Sequence, residues 1–80
     1  MDVSLHFCTM RRYMYLAWRD EGSWTVHSPS VPGVYGLGGT RRDAERDFAD
    51  ALKELLAYLH DIGAPAPKPK RLTTGVIEIR

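Results

Sequence analysis

The 80 residues predict an α+β fold of order β-β-β-α-β, a three-stranded antiparallel meander plus a C-terminal strand packed on one long helix. Three observations carry this prediction. Residues 13–27 hold two apolar runs around a short turn. Residues 28–40 gather two prolines and four glycines, which dictate backbone geometry. Residues 41–62 carry an apolar stripe at helical spacing.

The elements follow in chain order. Val3, Leu5 and Phe7 alternate with Ser4, His6 and Cys8, a period of two. Residues 1–10 therefore read either as an extra strand or as an extension, because Met10 offers an alternative start. Tyr13–Arg19 is an aromatic and apolar strand, closed by the turn Asp20-Glu21-Gly22-Ser23. Trp24–His27 returns beside it. With Arg19 opposite Trp24, Ala17 opposes Val26 and Tyr15 shares their face. Met14, Leu16 and Trp18 then project from the other face. One face can pack on a helix, and the other stays open in a single chain.

Pro29 and Pro32 break strand pairing, since proline lacks a ladder donor. Val34–Leu37 reads as a short third strand. Thr40 is the N-cap of the helix, with Asp43 three residues on in a capping-box variant. Ala44, Phe48, Ala51, Leu52, Leu55, Leu59 and Ile62 form the buried stripe. Leu56 and Tyr58 broaden it in the second half. Gly63 and Pro65 stop the helix after roughly 22 residues, about 33 Å. Ala64–Arg71 is a stiff proline-rich connector. Leu72–Arg80 reads as the last strand, favoured by Val76, Ile77 and Ile79.

Size and composition bound the function. The chain is read as one domain over residues 1–80. A domain this short is marginally stable alone, so a partner or self-association is expected, with a homodimer or homotetramer as the form. Cys8 is the single cysteine, which rules out a disulfide framework and fits a reducing cytoplasm. With no long apolar run at the N-terminus, neither signal peptide nor membrane anchor is expected. A net charge of +1 gives no overall polyanion signature.

Each chemical motif has a structural reading beside its functional one. The glycines before the helix match neither a Walker loop nor a dinucleotide fingerprint, and they read as a tight strand-to-helix entry. His27 lacks a nucleophile or an orienting acid nearby and reads as a packing or surface residue. Asp43, Asp47, Asp50 and Glu54 lie along the outer helix, where Arg46–Asp50 and Asp50–Lys53 can pair. The basic groups Arg11-Arg12, Arg41-Arg42 and Lys68-Lys70-Arg71 could contact phosphate if they converge. Trp18, Trp24, Tyr13 and Tyr15 could then stack bases. No metal or cofactor is expected.

From Tyr13 to Pro69 the chain resembles the HicB-like antitoxin family. The resemblance centres on Pro29-Ser30-Val31-Pro32-Gly33-Val34, then Gly38-Gly39-Thr40. Pro29, Pro32, Gly33, Gly38 and Thr40 match the family's pattern, as do Ala44, Ala51 and the exit from Gly63 to Pro67. Ser30 and Gly39 stand where that pattern has acids. The DNA-binding module that follows in many members has no counterpart here, so direct DNA binding is not expected. The resemblance implies a partial ribonuclease H-like fold without nuclease activity. It implies binding to HicA, a small basic mRNA-cleaving toxin, by steric coverage, with self-association common. The expected contact residues are Trp24, Ser28, Ser30, Val31, Tyr35, Asp43, Asp47 and Asp50. The alternative is a single-stranded RNA-binding module using the hairpin aromatics and the basic residues.

Overall fold

Glu21 and Gly22 carry positive φ angles of 51° and 82°, which turns the chain in two residues and matches strand twist. This computed structural model describes residues 11–80, and the strand expected over Val3–Cys8 lies outside them. The turn joins β1 (Leu16–Asp20) to β2 (Ser23–His27) as an antiparallel hairpin. The register sets Arg19 opposite Trp24, the pairing taken as the starting point above, and with it Ala17 opposite Val26. The strand begins later than Tyr13 and runs one residue past Arg19.

Two proline turns follow, sharing one residue. The Val31 amide donates to the Ser28 carbonyl at 3.0 Å, with Pro29 inside the turn. The Val34 amide donates to the Val31 carbonyl at 3.3 Å. Pro32 and Gly33 fill that second turn, and Gly33 has φ of 88°, as a type II turn requires. Val31 is thereby pushed inward and is 1% exposed.

The chain then enters β3 (Tyr35–Gly38), antiparallel to β2, which completes the sheet order β1-β2-β3. Helix α1 (Arg41–Asp61) starts where Thr40 Oγ1 accepts from the Asp43 amide at 3.1 Å. It ends in a Schellman arrangement. Ala64 N–H donates to the Leu59 carbonyl at 2.9 Å and Gly63 N–H to the His60 carbonyl at 3.1 Å. Gly63 takes φ of 74° there.

The helix lies over β3 and β2. Two glycines make that approach possible. A Cβ on Gly36 would stand 2.6 Å from Phe48 Cβ, and one on Gly38 would stand 2.7 Å from the Ala44 nitrogen. Real Cβ atoms do not tolerate either spacing, so β3 meets the helix backbone only because both residues lack a side chain. Val26, Val31, Ala44, Phe48 and Leu52 form the buried core. Tyr13, Ala17, Trp24, Val34, Leu55 and Leu56 pack around it half-buried. Past Leu56 the stripe loses its cover, and Tyr58 and Ile62 are exposed.

The C-terminal strand expected over Leu72–Arg80 does not form in the single chain. Strand propensity in Val76, Ile77 and Ile79 is realised only when a neighbouring strand supplies a ladder. Here the connector is instead held by point contacts. Tyr13 O–H donates to the Pro67 carbonyl at 2.6 Å. Lys70 N–H donates to Ser30 Oγ at 2.8 Å, and Leu72 N–H approaches Met14 Sδ at 3.4 Å. Beyond these contacts the tail projects from the body.

Candidate binding faces

The hairpin register sorts side chains onto two faces. Ala17, Trp24, Val26 and Gly36 face the helix. Leu16, Trp18, Thr25, His27, Tyr35 and Leu37 share the opposite face. Among these, Leu16, Trp18, Tyr35 and Leu37 are exposed, as is Met14 just before β1. No element covers this outer face among the described residues. His27 stacks on Tyr35 across the strands, with ring centroids 4.8 Å apart and planes 18° apart. Its Nδ1 lies 3.5 Å from the Val34 carbonyl oxygen, at the limit of a hydrogen bond. Contact with the Val34 carbonyl and the Tyr35 ring holds His27 by packing on the outer face.

An acidic stripe borders the outer edge of this face. Asp43, Asp47 and Asp50 lie four and three residues apart, on one side of α1. Asp47 Oδ2 accepts from the Leu37 amide at 2.9 Å, which fixes the stripe along the free edge of β3. Asp43 sits beside Gly38 at the same edge. All three aspartates are exposed. Arg46 and Lys53 do not pair with Asp50. The helical ion pair among the described residues is Arg41 Nε to Glu45 at 3.2 Å, one turn apart.

The other expected contact residues divide. Tyr35 stands exposed on the outer face. Trp24 is half-buried against the helix-side core. Ser28 and Ser30 are buried, and so is Val31. Ser28 Oγ accepts from the Ser30 amide at 3.3 Å, and Ser30 Oγ accepts from Lys70. These three residues build the double turn and anchor the connector, so their side chains present no contact surface. Pro29 lies inside the first turn, Pro32 and Gly33 fill the second, Gly38 sits against the start of the helix and Thr40 caps it.

At the opposite edge the charge reverses. Arg12, Lys70 and Arg71 line a shallow 380 Å³ recess with Met14 and Pro69. The connector contacts at Ser30 and Met14 bring these basic residues together. Arg41 lies elsewhere, engaged by Glu45. Tyr13, Tyr15 and Trp24 point toward the helix side, leaving Trp18 as the hairpin aromatic on the open face.

Tyr15 reaches across from the segment leading into β1 and donates its hydroxyl to Glu45 Oε2. This hydrogen bond holds the phenol pKa above its ordinary value of 10.0, with burial and the Glu45 charge adding to the effect. Tyr13, Tyr15, Val26, Phe48, Ala49 and Leu52 line a 240 Å³ groove, mostly apolar, together with the charged residues Arg11 and Glu45. The groove lies on the β1 side of the helix.

Among the described residues no group of three or more His, Cys, Asp or Glu side chains could hold a metal. Among the same residues no helix is long and apolar enough to cross a membrane. Two determinants of the site escaped the sequence reading. The approach through Gly36 and Gly38 sets the acidic stripe against β3, and the Ser30–Lys70 bond assembles the basic recess. The Gly-Leu-Gly spacing was the available signal for the first. No family model, curated protein or solved structure matches the chain.

Proposed function

We propose that this protein is a non-enzymatic, cytoplasmic antitoxin-like module that binds and occludes a small basic HicA-type mRNA-cleaving toxin. The observation carrying this reading is the junction of the acidic stripe with exposed Tyr35 and Leu37. An apolar face bordered along its β3 edge by carboxylates suits a basic protein partner: the apolar surface supplies affinity, and the carboxylates supply steering and register. The observed order of three strands and a helix launched at Thr40 also agrees with the fold that the HicB-like motifs imply. Inhibition here is coverage of the toxin's catalytic surface and needs no bond making.

The reading is tested with a purified small basic ribonuclease of HicA type. The two proteins should elute together in size-exclusion chromatography, and Asp50→Lys should weaken the complex. Separate elution at micromolar concentrations contradicts the proposal.

A second reading rests on the recess of Arg12, Lys70 and Arg71 beside Met14 and the open outer face. Those cations could hold the backbone of single-stranded RNA while Trp18 stacks a base. It predicts salt-dependent RNA binding without any toxin, weakened by Lys70→Ala and Arg71→Ala together. Its discriminating feature is location, since it uses the basic edge and leaves the acidic one free.

A further inference from the structure

The two edges of the sheet are unequal. Across a two-residue hairpin the pair flanking the turn is hydrogen-bonded, and the pairing then alternates. Asp20–Ser23, Trp18–Thr25 and Leu16–His27 therefore exchange bonds within the hairpin. The backbone N–H and C=O groups of Ala17 and Arg19 point outward instead. The same alternation directs the Leu37 amide outward from β3, where Asp47 satisfies it at 2.9 Å. Thus β3 has a capped edge and β1 an open one among the described residues. Beside the open edge lies the groove of Tyr13, Tyr15, Phe48, Ala49 and Leu52.

The same chain carries a segment with matching chemistry. Val76, Ile77 and Ile79 are 84–89% exposed, although all three are strong strand formers. Ile77 and Ile79 share one side of an extended strand, and Val76, Glu78 and Arg80 share the other. One side is purely aliphatic and the other carries both charges. The tail also reaches outward. The radius of gyration is 15.4 Å, against about 12 Å expected for a compact chain of this length. The molecule measures 57 Å along its longest axis, and α1 accounts for only about 32 Å of that at the usual rise. A projecting strand and an open edge on one molecule are reciprocal when two copies meet.

We propose that residues 75–80 of one copy add as a strand to the β1 edge of a second copy, with the exchange made in both directions. Backbone groups of Ala17 and Arg19 take up the ladder, while Ile77 and Ile79 enter the groove over Phe48 and Ala49. Glu78 and Arg80 stay in water. This is strand addition, in which main-chain bonds give affinity and alternate side chains fill pockets. It leaves the acidic stripe at β3 uncovered, so it is independent of the toxin-binding reading.

Analytical ultracentrifugation of the chain alone is the first test. The full chain should show concentration-dependent dimer formation. A chain truncated after Thr74, and the variant Ile77→Asp, should sediment as monomers with unchanged far-ultraviolet circular dichroism. Val76, Ile77 and Ile79 are 84–89% exposed, so neither change removes a buried side chain from the core. Isotope-filtered NMR on mixed labelled and unlabelled copies should then give contacts between the Ile77 and Ile79 methyls of one copy and Phe48 or Ala49 of the other. Three results overturn the proposal: a monomeric full chain, a dimer that survives truncation, or tail contacts confined to one copy.

Discussion

The Leu37 amide donates a 2.9 Å hydrogen bond to the Asp47 carboxylate, joining the outer edge of β3 to the middle of α1. A side chain of the helix thus finishes a strand edge that a neighbouring strand would otherwise occupy. Edge strands are commonly protected from unwanted pairing in such ways. Removing the acceptor in Asp47→Ala should cost about 0.5–1.5 kcal/mol, because the freed amide is near water. Asp47→Asn keeps an acceptor oxygen and should lose less. Urea unfolding of the three chains gives the order directly.

Gly36 makes the strongest prediction about packing. A Cβ there would collide with Phe48 and with the helix backbone, and a helix backbone cannot rotate aside. Gly36→Ala should therefore destabilise by at least the about 1–3 kcal/mol typical of overpacked cores. Gly39→Ala is the control. Nothing stands within 4 Å of its Cβ position, and its φ is not in the left-handed region. Thermal melts should show a large fall in Tm for the first variant and little change for the second.

Tyr15 and Glu45 make a prediction about pH. The neutral phenol donates to the carboxylate, so folding raises the tyrosine pKa above its ordinary 10.0. A raised folded-state value stabilises the fold at pH below the unfolded pKa. That contribution disappears as pH rises through the folded value, in the alkaline range above about 10. Glu45→Gln should return the Tyr15 titration toward the ordinary range. Difference titrations of tyrosinate absorbance against Tyr15→Phe isolate this one group from the other tyrosines.

Local signals in the sequence are legible where a single residue type settles the geometry. Thr40 caps the helix, Gly63 stops it, Gly22 turns the hairpin and Gly33 closes the second proline turn. Taking Arg19 opposite Trp24 across the turn, the alternation puts Ala17 opposite Val26, and the structure has both pairs. Determinants that depend on tertiary placement were not legible. Gly36 reads as one residue of a short strand and Gly38 as part of the entry to the helix, and neither shows its close approach until a helix is laid across them. Ser28, Ser30 and Val31 look like loop contact residues, yet two overlapping turns fold them inward. Val76, Ile77 and Ile79 have the propensity of a strand, but propensity supplies no partner. Asp47 is one acid along the outer helix in the sequence, and only its bond to Leu37 shows what that row borders.

The central claim is that the acidic stripe and the outer sheet face cover a small basic ribonuclease without performing chemistry. The most direct measurement is an RNA-cleavage titration with a HicA-type toxin. Cleavage should fall in proportion to added protein and stop at a fixed stoichiometry. Asp50→Lys should restore cleavage, and raised salt should slow association. Undiminished cleavage at a large molar excess of the folded protein would contradict the account.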